Sequence, residues 1–88
     1  MSSVYLALGS KGVSLASLPE GAQGTVVDVH GEVGARTDRL LALGVIPGAP
    51  VTVLQTFPGV VFLCDQTEIA VERAVARTIF VRPQERRS

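Results

Sequence analysis

Cysteine, histidine and lysine each occur only once in this chain, and tryptophan is absent. A single cysteine, Cys64, excludes an internal disulfide, so nothing in the sequence requires an oxidising compartment. The longest uninterrupted apolar run, 40–46, contains Gly44 and is far shorter than the ~20 residues that span a bilayer. No basic segment followed by a long apolar one marks a secretion signal. We therefore expect a cytoplasmic protein with no direct insertion into a membrane.

Charge is also scarce and balanced. Charged residues make up 18% of the sequence, and eight basic residues cancel eight acidic ones. Proteins that bind nucleic acids usually cluster Lys and Arg against the phosphate backbone, and this chain has no such cluster. Aromatic residues that could stack on bases are few, and we expect Phe57, Phe62 and Phe80 to lie in the core. A small barrel that binds nucleic acid is kept as a less favoured alternative.

The side chains that carry chemistry do not form a recognisable site. His30, Cys64, Asp28 and Asp65 are the candidate metal ligands, and no two of them have a spacing such as CxxC or HxxxH. A nucleophile, a base and an orienting residue are not grouped, and no GxxxxGK[ST] loop is present. We predict that the chain is not an enzyme, holds no cofactor and has no specific metal site. Cys64 is expected to be a small buried apolar residue.

A single domain of mainly β structure is expected from 88 residues, 47% of which are apolar. The first half predicts a short helical turn at 15–18, a strand at 25–29 and a helix at about 35–43. Gly44 is placed as the left-handed residue that ends this helix, with Val45 folding back on Leu40. Pro47-Gly48 has the residue types of a type II turn, with glycine at the position of positive φ.

The second half predicts four more strands and one turn of helix. The strands lie at 51–54, 60–64, 67–72 and 78–82, and the helical turn at 73–77. Within 67–72, Ile69 and Val71 should point inward and Glu68 and Glu72 outward. About five short strands with one inserted α-helix suit a small barrel, because closure protects the exposed edges of so small a sheet.

Residues 40–48, LLALGVIPG, resemble the LxxLGxxPG signature of FeoA, the small ferrous-iron transport protein A. The resemblance extends to the strand VTVL at 51–54, to SLASLPEGAQGTVVDV at 14–29 and to TEIAVERAVARTIFV at 67–81. It covers residues 14–83, with 1–13 as an N-terminal extension or extra strand and 84–88 as a flexible basic tail. The sequence departs from the family pattern in two places. The shortest members lack residues 1–12, and the hairpin at 57–59 is tighter than the longer loop common in the family.

The resemblance implies an SH3-like barrel. It also implies a non-enzymatic accessory protein of bacterial ferrous-iron uptake, which binds the cytoplasmic GTPase domain of a membrane iron transporter. The same module occurs at the C-terminus of metal-dependent repressors, so a regulatory domain of that kind is an alternative. A repressor would require a helix-turn-helix segment, and none is evident before Ser14. Weak self-association is left open.

One face of the predicted helix is the candidate partner-binding surface. Val33, Thr37, Leu40, Leu41 and Gly44 are assigned to its core side. Arg36, Arg39 and Leu43 fall on the opposite side, where an apolar anchor between two cations could meet an acidic partner. The alternative is an ordinary solvated helix with one exposed leucine. On the sequence alone, that alternative is the stronger one.

Overall fold

The computed structural model describes residues 12–30 and 35–84, and side chains within 12–30 and 38–84. Strand β1 is Val13–Ser14, followed by a 3₁₀ helix at Leu15–Ser17 and strand β2 at Gln23–Val29. Helix α1 is Ala35–Ala42. The remaining elements are β3 (Pro50–Gln55), β4 (Val60–Cys64), β5 (Thr67–Val71), α2 (Arg73–Ala76) and β6 (Ile79–Pro83). Every element predicted from the sequence is therefore present, with ends shifted by one or two residues.

The six strands form one antiparallel sheet in the order β1-β6-β2-β3-β4-β5. The predicted mainly β fold with one inserted helix is confirmed. Strand β1 is an addition of only two residues, in which Val13 pairs with Val81. Strand β5 is the opposite edge, and within residues 12–30 and 35–84 it pairs with β4 alone. Among the described residues, no helix is long and apolar enough to cross a membrane.

The core is built from alternate side chains of the strands. Strand β4 buries Val60, Phe62 and Cys64, while Val61 and Leu63 are half-buried, so both faces of this strand are at least partly covered. Ile69 is buried and Glu68 and Glu72 are exposed, as the alternation in β5 predicts. The buried apolar set is Leu15, Val26, Leu40, Val45, Val51, Val53, Val60, Phe62, Cys64, Ile69, Ala76, Ile79 and Val81.

Helix α1 ends in the predicted glycine cap. Gly44 has φ +95°, and its N–H donates to the carbonyl oxygen of Leu41 at 3.0 Å. The N–H of Val45 reaches back to the carbonyl oxygen of Leu40 at 2.9 Å. These two bonds and the burial of Leu40 and Val45 define a Schellman motif with its apolar contact. Gly48, in the following turn, also has the predicted positive φ, +98°.

Two predictions of burial are wrong. Leu41 is 50% exposed although its neighbour Leu40 is only 4% exposed. Because successive residues of a helix are turned by about 100°, burying Leu40 directs Leu41 away from the sheet. Phe57 is 77% exposed, because it lies in the turn between β3 and β4 instead of in a strand. Phe62 is buried as predicted, whereas Phe80 is only half-buried and is not a member of the buried core.

Candidate functional site

A groove separates helix α1 from the edge strand β5. Its volume is about 210 Å³. Leu40 and Ile69, both buried, provide apolar side chains, and Arg39 and Glu72 provide one charge of each sign. The lining residues come from α1, β5, α2 and the positions directly beside them, and they are Arg39, Leu40, Leu43, Ile69, Ala70, Val71, Glu72 and Val75. We call this feature the α1–β5 groove.

Two of the three predicted partner-binding residues lie in this groove. Arg39 and Leu43 are exposed and one helical turn apart, and both line it. The side chain of Arg36 lies outside the described residues, as do those of Val33 and Thr37, which were assigned to the core side. Leu43 is 38% exposed and thus offers part of an apolar side chain to a partner.

More apolar surface surrounds the end of α1. Leu41 and Ile46 are 50% and 45% exposed, respectively. With Leu43, they place three large apolar side chains within six consecutive residues of the chain. Single exposed apolar residues are normal on soluble proteins, and of these three only Leu43 lines the α1–β5 groove. Leu43 is therefore the exposed apolar side chain of this segment that a partner bound in the groove would contact.

Arg73 positions the third side of the groove. Its guanidinium donates to the carbonyl oxygen of Thr56 at 2.7 Å and to that of Ala16 at 3.1 Å. These bonds join helix α2 to the loop after β3 and to the 3₁₀ helix, and Val75 of α2 lines the groove. A cation in a short helical turn is the one sign of this role in the sequence, and it does not reveal which distant carbonyl oxygens Arg73 binds.

The candidate metal ligands do not converge. Nε2 of His30 and Oδ2 of Asp28 are 2.7 Å apart, and both side chains are exposed. The imidazole also packs against Phe80, with ring centroids 4.9 Å apart. No group of three or more His, Cys, Asp or Glu side chains that could hold a metal ion occurs within the described residues. The pair of His30 and Asp28 supplies only two ligands.

Cys64 is buried and free. Its thiol Sγ lies 3.5 Å from the carbonyl oxygen of Gly44, to which it donates. Burial raises the pKa of the thiol above its ordinary value, and the nearby carboxylate of Asp65 raises that pKa further. The thiolate is the nucleophilic and metal-binding form, so this environment disfavours both kinds of chemistry. The environment matches the predicted small apolar residue.

The family model of the FeoA domain matches residues 13–83. The chain belongs to the FeoA domain family. The solved structure of a FeoA described as an iron uptake regulatory protein is 25% identical, with a TM-score of 0.73. The match covers 82% of this chain and 96% of that one.

A second FeoA structure supports the fold. The FeoA of Stenotrophomonas maltophilia in complex with zinc is 21% identical, with a TM-score of 0.73, and the match covers 85% of this chain and 99% of that one. It is described as a prokaryotic SH3 domain protein, for which a role as a bacterial ferrous-iron transport activating factor has been suggested. The SH3-like fold implied by the resemblance is confirmed.

FeoA-like folds also occur within longer proteins. A manganese-dependent transcriptional repressor is 18% identical to this chain, with a TM-score of 0.71. That match covers 77% of this FeoA-family chain but only 39% of the repressor, so the likeness is confined to part of the repressor. By sequence alone, no curated protein matches the chain.

Proposed function

We propose that this protein is a non-enzymatic accessory protein of bacterial ferrous-iron uptake. It acts in the cytoplasm by binding the GTPase domain of a membrane iron transporter, and Arg36, Arg39 and Leu43 contribute to the contact. The observation that carries the proposal is the match of the FeoA domain to residues 13–83. The 25% identical iron uptake regulatory protein supports the same process.

The described surface is suited to binding a protein. The groove volume of about 210 Å³ is smaller than the roughly 300–1,000 Å³ of typical small-molecule sites. Leu43 provides an apolar anchor, and Arg39 beside it provides a charge that attracts an acidic partner. The described titratable side chains form no catalytic constellation: Cys64 is buried, and the imidazole of His30 is paired with Asp28 and packed against Phe80.

A second candidate is a regulatory domain related to the C-terminal part of metal-dependent repressors. The structural likeness to a manganese-dependent repressor favours it, with a TM-score of 0.71. At 18% identity, however, this likeness concerns the fold alone. A nucleic-acid-binding barrel is the third candidate, and the balance of eight basic and eight acidic residues disfavours it.

The test is a binding assay against the purified cytoplasmic GTPase part of the ferrous-iron transporter from the same organism. The wild-type protein should bind saturably. Leu43→Asp should abolish binding and leave the melting temperature nearly unchanged, because Leu43 is partly exposed. Charge reversal at Arg36 and Arg39 should mainly slow association and weaken its dependence on salt.

Leu41→Asp is the matched control. It introduces the same charge into the same helix, but Leu41 is turned by about 200° from Leu43 and does not line the groove. The control variant should bind like the wild type. Absence of wild-type binding would overturn the proposed partner. If folded Leu43→Asp bound as well as the wild type, this surface would not be the binding site. The exposed turn at Phe57 would then be the next candidate to test.

A further inference from the structure

Strand β5 presents unused backbone groups on its outer side. The β4–β5 hairpin has a two-residue turn, Asp65-Gln66, flanked by the pair Cys64 and Thr67. The pair that flanks such a turn exchanges hydrogen bonds, and the pairs then alternate along an antiparallel ladder. The N–H and C=O groups of Ala70 and Glu68 therefore point away from β4.

A hydrogen bond between the end of β4 and β3 independently shows which backbone groups of β4 face β5. The N–H of Asp65 donates to the carbonyl oxygen of Pro50 in β3 at 2.9 Å. Asp65 is thus directed toward β3, and its neighbour Cys64 must be directed toward β5. Within the described residues, the outward groups of Glu68 and Ala70 pair with no other strand. The carbonyl oxygen of Glu72, in contrast, is already bonded to the N–H groups of Val75 and Ala76.

Those unpaired groups lie beside the α1–β5 groove, because Ala70 itself lines it. A segment that enters here in extended form meets a strand edge on one side and Leu43, which directly follows α1, on the other. Main-chain hydrogen bonds to an open edge provide affinity, and a pocket beside the edge selects the alternate side chains. The groove volume of about 210 Å³ admits a large apolar side chain but is small for a cofactor.

The charged side chains beside the edge of β5 restrict which residues the bound segment can carry. Glu68, Ala70 and Glu72 lie on the same face of the strand, since they are two residues apart, and both glutamates are exposed. A strand that pairs with β5 places its own side chains opposite these carboxylates, where a cation is favourable and another carboxylate is not. The complementary segment therefore combines a large apolar residue with a Lys or Arg opposite the glutamates, and on its side toward α1 an acidic group is favourable beside Arg39.

We propose that the α1–β5 groove binds an extended segment of the partner, which adds to the edge of β5 as a seventh strand. The segment inserts a large apolar side chain between Leu43 and Val75 and sets a basic side chain near Glu68 or Glu72. This inference rests on the proposed function, because it takes the cytoplasmic part of the iron transporter as the source of the segment. It adds the mode of binding, which the proposed function leaves open.

The decisive variant is Ala70→Pro, which deletes the outward N–H. Because this N–H makes no bond to β4, proline is tolerated here as it is on other strand edges. Ala70→Ser is the matched control, since it keeps the N–H and adds only a small side chain. Binding of the purified cytoplasmic GTPase part should fall at least tenfold with Ala70→Pro and remain within threefold of the wild type with Ala70→Ser.

Amide hydrogen exchange on the wild type provides a readout that does not depend on how the proline variant folds. On addition of the same GTPase part, the amides of Glu68 and Ala70 should exchange more slowly. Saturable binding with unchanged exchange at both amides would overturn strand addition but keep the proposed function. Absence of any binding would overturn both. The two failures are thereby distinguished.

Two other occupants of the groove are separate outcomes of the same measurements. Slowing of these amides with protein concentration, without the GTPase part, would assign the groove to a second copy of this chain. Slow exchange in the free protein that is lost on deletion of residues 1–11 would assign it to the chain's own N-terminal residues. Either result would overturn the proposal that a partner segment is the occupant.

Discussion

The backbone of Val26 is bonded in both directions to the loop that follows helix α1. Its N–H donates to the carbonyl oxygen of Ala49 at 2.8 Å, and its carbonyl oxygen accepts from the N–H of Gly48 at 2.7 Å. Val26 is itself buried in β2. The loop is therefore fixed to the sheet, and the Gly44 cap fixes α1 to the loop. This chain of contacts holds one wall of the α1–β5 groove in place.

The first prediction concerns Gly44. A Cβ at position 44 would point into open space, so crowding is not the main obstacle to Gly44→Val. Its φ of +95° is nevertheless unfavourable for a β-branched residue, and the substitution should cost on the order of 1–2 kcal/mol or more of unfolding free energy. Gly44→Asn, which tolerates positive φ better, should lose less. Equal thermal unfolding of Gly44→Val and the wild type would contradict the assigned strain.

Substitutions at the neighbouring residues Leu40 and Leu41 of α1 should change the free energy of unfolding by very different amounts. Leu40→Ala opens a cavity beneath the helix and should cost about 2–5 kcal/mol, because Leu40 is buried. Leu41→Ala changes a half-exposed side chain and should stay within about 0.5 kcal/mol of the wild type. Chemical denaturation of the two variants under identical conditions measures the difference. Similar losses for both would show that the helix is turned differently.

Arg73 should contribute to stability although it lies in a helix of only four residues. A lysine cannot donate to two carbonyl oxygens in the arrangement of a guanidinium, so Arg73→Lys should cost on the order of 1–2 kcal/mol. Arg77→Lys is the control at an exposed position of the same segment. Unfolding curves for both variants test this. A loss shared equally by the two would contradict the bonds to Thr56 and Ala16.

Cys64 should be unreactive in the folded protein. It should also make the free energy of unfolding depend on pH in the alkaline range. Its pKa is raised above the ordinary value of 9.0. The unfolded thiol therefore ionises at lower pH than the folded one. Its contribution to stability is complete below the ordinary pKa and is lost as the pH rises toward the raised value. Unfolding free energies across this range should fall more steeply for the wild type than for Cys64→Ala, and thiol alkylation should be slow until the protein unfolds.

Metal binding at His30 should be weak. The imidazole and the Asp28 carboxylate provide two ligands, and the described residues add no third. An anaerobic calorimetric titration with Fe²⁺ or Zn²⁺ should show no saturable one-to-one site of sub-micromolar affinity. If such a site appeared, His30→Ala and Cys64→Ser would identify its ligands and overturn the prediction.

The features predicted correctly depend on residues close together in the sequence. The Gly44 cap and the Pro47-Gly48 turn follow from positive φ, which glycine adopts most easily. The inward direction of Ile69 follows from the alternation of a strand. In each case, a few neighbouring residues contain the whole physical cause.

The features that were missed depend on residues far apart. Arg73 reaches across 17 residues to Thr56 and across 57 residues to Ala16, and no local pattern encodes either bond. The groove likewise requires that α1 and β5 lie side by side. Leu41 was misplaced because a run of adjacent apolar residues does not fix which one faces the sheet. Arg39 and Leu43 were chosen from the helical period, which locates a face but not what lies beside it.

The pairing of β1 with β6 also has a mechanical consequence. Val13, at the start of β1, is opposite Val81, near the end of β6, so the chain enters and leaves the domain on adjacent antiparallel strands. A force that pulled these two ends apart would break the short ladder one pair at a time instead of shearing all its bonds together. The barrel should therefore yield first by peeling of β1 at low load, while the strands around Phe62 stay folded.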